Sequence, residues 1–126
     1  MKGLNVGELI AELKKYDRGA YLRVDRSPIE LAPCDLDSYR GYYEDLAIGV
    51  ESARRAPWNV GDLVAQLEER IGTTMTGYKG GEYTIRSTTR VWISNYGESS
   101  GTRVTGTRYA GWGCVYLTWE SDRGDS

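Results

Sequence analysis

The feature that most constrains this chain is a helix-opening motif that occurs twice. Asn5-Val6-Gly7-Glu8-Leu9-Ile10-Ala11-Glu12-Leu13 returns as Asn59-Val60-Gly61-Asp62-Leu63-Val64-Ala65-Gln66-Leu67, with nearly every position identical or conservative. Both copies carry the chemistry of a helix start. Asn5 and Asn59 suit an N-cap, where a side-chain oxygen takes an orphan N–H of the first turn. Glu8 and Asp62 stand three residues on, as a capping box requires, and favour the positive end of the helix dipole. Leu4 with Leu9, and Trp58 with Leu63, have the spacing of a hydrophobic staple. Apolar residues then recur at helical period: Val6, Leu9, Ile10 and Leu13 in one copy, Val60, Leu63, Val64, Leu67 and Ile71 in the other. The pattern predicts two short helices, within 4–16 and 58–71, each packing one face on a sheet.

The remaining sequence reads as strands and turns. Ala20 to Asp25 is expected to be a strand, Ser27 to Asp37 (two prolines) a loop, and Tyr42 to Val50 a second strand bent at Gly49. After Gly72, strands are expected at Glu82–Ile85, Val91–Ser94, Arg103–Arg108 and Val115–Glu120, separated by glycine-bearing loops. The order α-β-β-α-β-β-β-β implies an α+β fold, an antiparallel or mixed sheet with two helices on one face. At 126 residues the chain has the length of one domain, expected over 1–120, with 121–126 a flexible tail. Trp92 and Trp119 are expected in the core, and Trp112, between two glycines, at the surface or an interface.

Ten Tyr and four Trp with no Phe form an unusual aromatic set. Such rings favour places where one end stays wet, so part of the set is expected to line a pocket or close a homo-oligomer interface. A net charge of −2 with both signs interspersed argues against duplex nucleic acid or an anionic membrane as partner through bulk charge. The longest apolar run, Leu46 to Val50, is too short to span a bilayer, and the first residues have no secretory h-region. A cytoplasmic setting follows, with Cys34 and Cys114 as free thiols.

Two segments combine aromatic rings, a cation and glycine within a few residues: Ser38 to Asp45, holding Tyr39, Arg40 and Tyr42, and Gly77 to Tyr83, holding Tyr78, Lys79, Gly80, Gly81 and Tyr83. Glycine lets backbone N–H groups cradle an anion, arginine binds phosphate bidentately, and tyrosine offers a stacking face. A third loop, 95–103, adds Asn95, Tyr96 and Arg103. These are the parts of a site for a small anionic nucleotide-like ligand, although no phosphate-loop or dinucleotide fingerprint is present. The same residues also fit a structural role: alternate tyrosines packing on the helices, Arg40 paired with an acid, and Gly80-Gly81 as a hairpin turn. With no histidine in the chain, an imidazole-based triad and an imidazole zinc site are excluded. Asp35-Leu36-Asp37 and Glu44-Asp45 could hold a magnesium ion for a carboxylate-dependent hydrolase, but short acidic pairs in loops are usually turns or caps. Neither a catalytic residue, a metal nor a cofactor is expected.

Val6 to Leu13, Asp37 to Ala47 and Gly77 to Thr84 together resemble short proteins encoded by bacteriophages, over residues 4–106. Small phage proteins with mixed-sheet domains include anti-defence sponges, which sequester cyclic nucleotide or cyclic ADP-ribose immune signals without cleaving them. By analogy of size, origin and pocket chemistry, the resemblance implies a non-catalytic binder of such a signal in the infected host cell. A protein–protein inhibitor or virion accessory protein is the alternative, and the carboxylate-dependent hydrolase a third.

Overall fold

In the computed structural model the described residues are 3–26, 29–38, 45–52, 58–76, 82–93 and 102–121. They form helices α1 (Val6–Leu13) and α2 (Val60–Arg70) and strands β1 (Tyr21–Arg26), β2 (Ile29–Ser38), β3 (Leu46–Ser52), β4 (Thr74–Thr76), β5 (Glu82–Thr84), β6 (Val91–Ile93), β7 (Thr102–Gly111) and β8 (Cys114–Ser121). The fold is α+β, as expected.

Both helices begin with a complete capping box. Asn5 Oδ1 accepts the Glu8 N–H at 2.8 Å, and Glu8 Oε1 accepts the Asn5 N–H at 3.0 Å. Asn59 and Asp62 repeat the pair at 2.8 and 3.0 Å. Each reciprocal pair satisfies two donors that a helix start leaves orphaned. The apolar stripes of both helices enter one hydrophobic cluster with the barrel strands, where Leu9, Leu13, Leu63 and Leu67 are fully buried.

The sheet is mixed, and it closes. The order β1-β2-β3-β6-β7-β8 forms a barrel, with β4 and β5 as a separate two-stranded sheet. Closure rests on two parallel junctions, and their registers are the same. Leu22, Arg23 and Val24 of β1 face Val115, Tyr116 and Leu117 of β8, while Val91, Trp92 and Ile93 of β6 face Leu46, Ala47 and Ile48 of β3. The hairpins repeat as well. Register shifts fall between Pro33 and Asp35 on β2, and between Val104 and Gly106 on β7. The barrel is therefore one αβββ unit used twice, with β1, β2 and β3 corresponding to β6, β7 and β8.

The helices cross between the units. Leu4, Val6 and Gly7 donate to the carbonyls of Val104, Thr89 and Ser87 at 2.7, 2.8 and 2.8 Å. Trp58, Val60 and Gly61 donate to those of Pro33, Ala20 and Arg18 at 3.0, 3.0 and 2.8 Å. Thus α1 opens on the turn before β6, and α2 opens on the turn before β1. This explains the glycine in the repeated motif. A Cβ on Gly61 would lie 3.0 Å from both the Cβ and the carbonyl oxygen of Arg18, and one on Gly7 would lie 3.3 Å from those of Ser87.

Several expectations change. The predicted loop 27–37 is mostly β2, because proline at a bulge removes a donor that the disturbed ladder does not need there. The strand expected from Tyr42 begins at Leu46 among the described residues, and β4 was not anticipated. Trp92 is not core: on β6 its neighbours Val91 and Ile93 point inward, leaving Trp92 half-buried on the opposite side. Trp119 does pack against the core. Both cysteines are free thiols. Among the described residues, no helix is long and apolar enough to cross a membrane.

Candidate functional site

Strand directions sort the molecule into two ends. β1, β3, β6 and β8 run one way, β2 and β7 the other. Both helix N-termini lie at the end where β1, β3, β6 and β8 start, since Asn59 bridges to Tyr21 and Asn5 to Arg90. Two clefts open at this end, and they occupy corresponding places in the two units. Each is built from the turn before a unit's first strand, the residues leading into that turn, and the entry to the other unit's third strand, which pairs with that first strand in parallel.

The cleft of the second unit has a volume of about 590 Å³ and is lined by Asp45, Tyr83, Thr84, Arg86, Thr88, Thr89 and Arg90. The turn is tight: Thr89 N–H donates to Arg86 O at 3.0 Å, and Arg86 N–H donates to Thr89 Oγ1 at 2.8 Å. That bond sets Thr89 against the backbone and leaves the Arg86 side chain exposed. Arg90 reaches back to Gly3 O at 3.2 Å, which ties the start of the chain to the cleft wall. Asp45 is held in place by the Trp92 indole N–H, which donates to Oδ2 at 2.9 Å. Two guanidinium groups against one carboxylate, with three threonines, make a polar recess suited to an anion.

The cleft of the first unit, about 510 Å³, has a different lining on the same backbone plan: Lys15, Tyr16, Asp17, Ala20, Tyr109 and Gly113. Ala20 N–H donates to Asp17 O at 3.0 Å, repeating the turn. Asp17 stands where the other cleft has Arg86, and Ala20 where it has Thr89. Tyr16 and Tyr109 stack with centroids 6.2 Å apart and planes 16° from parallel. Lys15 is engaged by Glu12 at 2.8 Å, and that hydrogen bond holds the Glu12 carboxyl below its ordinary value. Thr107 extends the cluster, donating to Glu12 Oε1 at 3.1 Å and bonding the Tyr16 hydroxyl at 3.0 Å.

Of the residues nominated from sequence, Tyr39, Arg40, Tyr42, Tyr78, Lys79, Gly80, Gly81, Asn95 and Tyr96 lie outside the described residues. Tyr83 and Arg103 are described. Tyr83 was expected to offer a stacking face, but its ring is packed into the core at 7% exposure, with the hydroxyl donating to Asp45 O at 2.9 Å. That bond joins the described ends of the two aromatic–cation–glycine segments, since Asp45 closes one and Tyr83 the other. The third segment is anchored elsewhere. Ile93 and Thr102, which flank 94–101, pair at the end of β6 away from its entry, and Arg103 sits opposite Glu120 with a 4.0 Å ion pair. Arg103 lines neither cleft, although it pairs with the Trp92 that holds Asp45.

Sequence reasoning missed Arg86, Arg90 and the threonines between them. Their signal was the run Arg86-Ser87-Thr88-Thr89-Arg90, two cations around hydroxyl residues, which lacks the tyrosines and glycines that drew attention to the other segments. Asp35, considered for metal, instead accepts the Leu36 N–H at 2.8 Å beside the bulge, a local strand contact. No protein-family model, curated protein or solved structure gives a match to this chain.

Proposed function

We propose that the chain is a non-catalytic binder of a small nucleotide-like anion, and that the Arg86–Arg90 cleft receives its phosphate. The observation that carries this reading is the Tyr83–Asp45 hydrogen bond. It brings the ends of two tyrosine-, cation- and glycine-rich segments to the rim of a recess that already holds two arginines and three threonines. Arginine supplies a bidentate, always-charged partner for phosphate, and threonine hydroxyls add donors that adapt to its oxygens. Asp45 disfavours a bare multivalent anion and favours a ligand that also carries a hydroxyl or amino donor, as a nucleotide does. Sequestration without turnover fits a phage-encoded anti-defence role in the host cytoplasm, in line with the sequence resemblance.

The test is incubation of the purified chain with a panel of cyclic nucleotides and cyclic ADP-ribose isomers, then desalting, heat release and mass spectrometry. Intact ligand is the expected recovery. Arg86→Ala is expected to weaken binding by about 1–3 kcal/mol, the scale of a charge-assisted hydrogen bond. Arg90→Ala should weaken it too, with some loss of stability through the Gly3 contact. Recovery of an altered product would make the protein an enzyme, and no retention of any ligand would favour the protein–protein alternative.

A further inference from the structure

The first-unit cleft has no part in the reading above, yet it is built on the same hydrogen-bonded frame. Its lining argues for a different ligand. A phosphate would need a cation, and the lysine present is already held by Glu12 at 2.8 Å. Asp17, at the position of Arg86, offers an acceptor where the other cleft offers donors. The walls are aromatic. Tyr109 is 56% exposed, so its ring keeps open area although it stacks on Tyr16. Its hydroxyl accepts the Gly113 N–H at 3.1 Å, which fixes the ring against the cleft floor before any ligand arrives. Ala20 and Gly113 are small, which leaves a slot beside the ring.

The rim adds a second, independent sign. Trp112, the neighbour of Gly113, is 98% exposed and has φ 55°. A left-handed conformation is unfavourable for a residue with a Cβ, and a wholly exposed indole gains nothing from folding to offset that cost. Gly111 and Gly113 on either side also have positive φ, at 87° and 69°, so the hairpin is shaped to hold an indole out at this place. Strain of this sort gathers at ligand clamps.

We infer that the Tyr16–Tyr109–Asp17 cleft is a second binding site, for a planar nitrogen heterocycle without phosphate, such as a nucleobase or nucleoside. The ring stacks on Tyr109 and its amino group donates to the Asp17 carboxylate. At about 510 Å³ the cleft lies within the ordinary range for small-molecule sites and exceeds what one base needs. The site stands whether or not the Arg86 cleft takes a nucleotide.

The test is an amide chemical-shift titration of the full chain, with adenosine as one probe and inorganic phosphate as the other. Adenosine is expected to move Asp17, Ala20 and Gly113. Tyr109→Ala is expected to weaken adenosine roughly tenfold, the scale of one lost base stack, while Tyr109→Phe, which keeps the ring but loses the Gly113 bond, weakens it less. Asp17→Asn, which leaves the turn's backbone bond intact, should weaken adenosine several-fold and serves if Tyr109→Ala fails to fold. Phosphate should leave Asp17, Ala20 and Gly113 unmoved in every variant. Adenosine that moves no resonance, or only those of Thr88, Thr89 and Arg90, overturns the inference. So does a folded Tyr109→Ala or Asp17→Asn that binds adenosine like the parent chain.

Discussion

The two units of the barrel share a ladder and differ in what hangs from it. In the first unit, α1 ends at Leu13 and the chain reaches the Asp17 turn almost at once. In the second, Gly72 (φ 90°) turns the chain out of α2 into the β4–β5 hairpin, stitched back by Gly72 N–H to Ile85 O at 2.7 Å. That insertion brings Tyr83 and Thr84 to the second cleft, where the first has Lys15 and Tyr16. The connections differ in the same way. Residues 39–44 join β2 to β3, but a short turn at Trp112 joins β7 to β8, while 27–28 join β1 to β2 and 94–101 join β6 to β7. The tyrosine-rich segments therefore fall where the units diverge, and the repeated frame carries none of them. A duplicated scaffold leaves the frame under packing constraint and frees the connections for binding.

The largest effects should come from the shared frame. Leu9 and Leu63 hold corresponding places and are both fully buried. Leu9→Ala and Leu63→Ala are each expected to cost about 2–5 kcal/mol in urea unfolding. A marked inequality would mean that one unit carries the fold and the other merely decorates it.

The glycines should separate the units next. Gly61→Ala drives a methyl against Arg18 backbone and Cβ at 3.0 Å, so a loss of about 1–3 kcal/mol is expected. Gly7→Ala meets Ser87, on an exposed turn, at 3.3 Å, and a loss below that range is expected because helix propensity returns about 0.5–1 kcal/mol. Thermal melts in which Gly7→Ala is the worse of the two would break the assignment of the tighter contact to α2.

Removing a cap should cost less. Asn5→Ala and Asn59→Ala are each expected to lose about 1 kcal/mol, since the two capping boxes have matching geometry. Melts showing no loss at either site would remove the capping argument for both helices.

The smallest and most local contrast lies in the thiols. Burial pushes both cysteines above the ordinary thiol range; Glu51 and Asp35 push Cys34 further up, whereas at Cys114 Arg23 and Arg108 pull down against Glu30, which pushes up. A folded pKa above the unfolded one means the native state keeps its proton longer. The associated stability is present below the unfolded thiol pKa, about 8.5, and fades as pH climbs through the folded value. Iodoacetamide at neutral pH should therefore label both more slowly in the native chain than in urea, with Cys114 the faster as pH rises. Equal native rates across the alkaline range would show that these charges are screened.

Much of the frame was legible in the residues. Asn-x-x-acid before a helical apolar stripe is a local signal, because cap, dipole and periodicity all act within one or two turns of chain. Both helices were found on that ground, as were β5 to β8 from alternation. The β2 strand was not, because a proline usually marks a break, and only pairing with Val50 beside a bulge makes Pro33 acceptable. The candidate site was legible only in part. Composition pointed to cations with aromatics, yet Tyr83 went to the core, Arg103 to an ion pair with Glu120, and the recess itself was built by Arg86 and Arg90.

What the sequence determined alone was therefore whatever depends on neighbours a few residues apart: two capped helices, alternating strands, and a repeat whose conserved glycine had no visible reason. The tertiary structure decided what depends on distant residues meeting. It closed the sheet through two parallel junctions, crossed each helix onto the other unit, and gave Gly7 and Gly61 neighbours that crowd a side chain, Gly61 the more tightly. It also set Asp17 and Arg86 at corresponding positions of two clefts. No local propensity encodes that placement, because it follows from register between strands far apart in the chain.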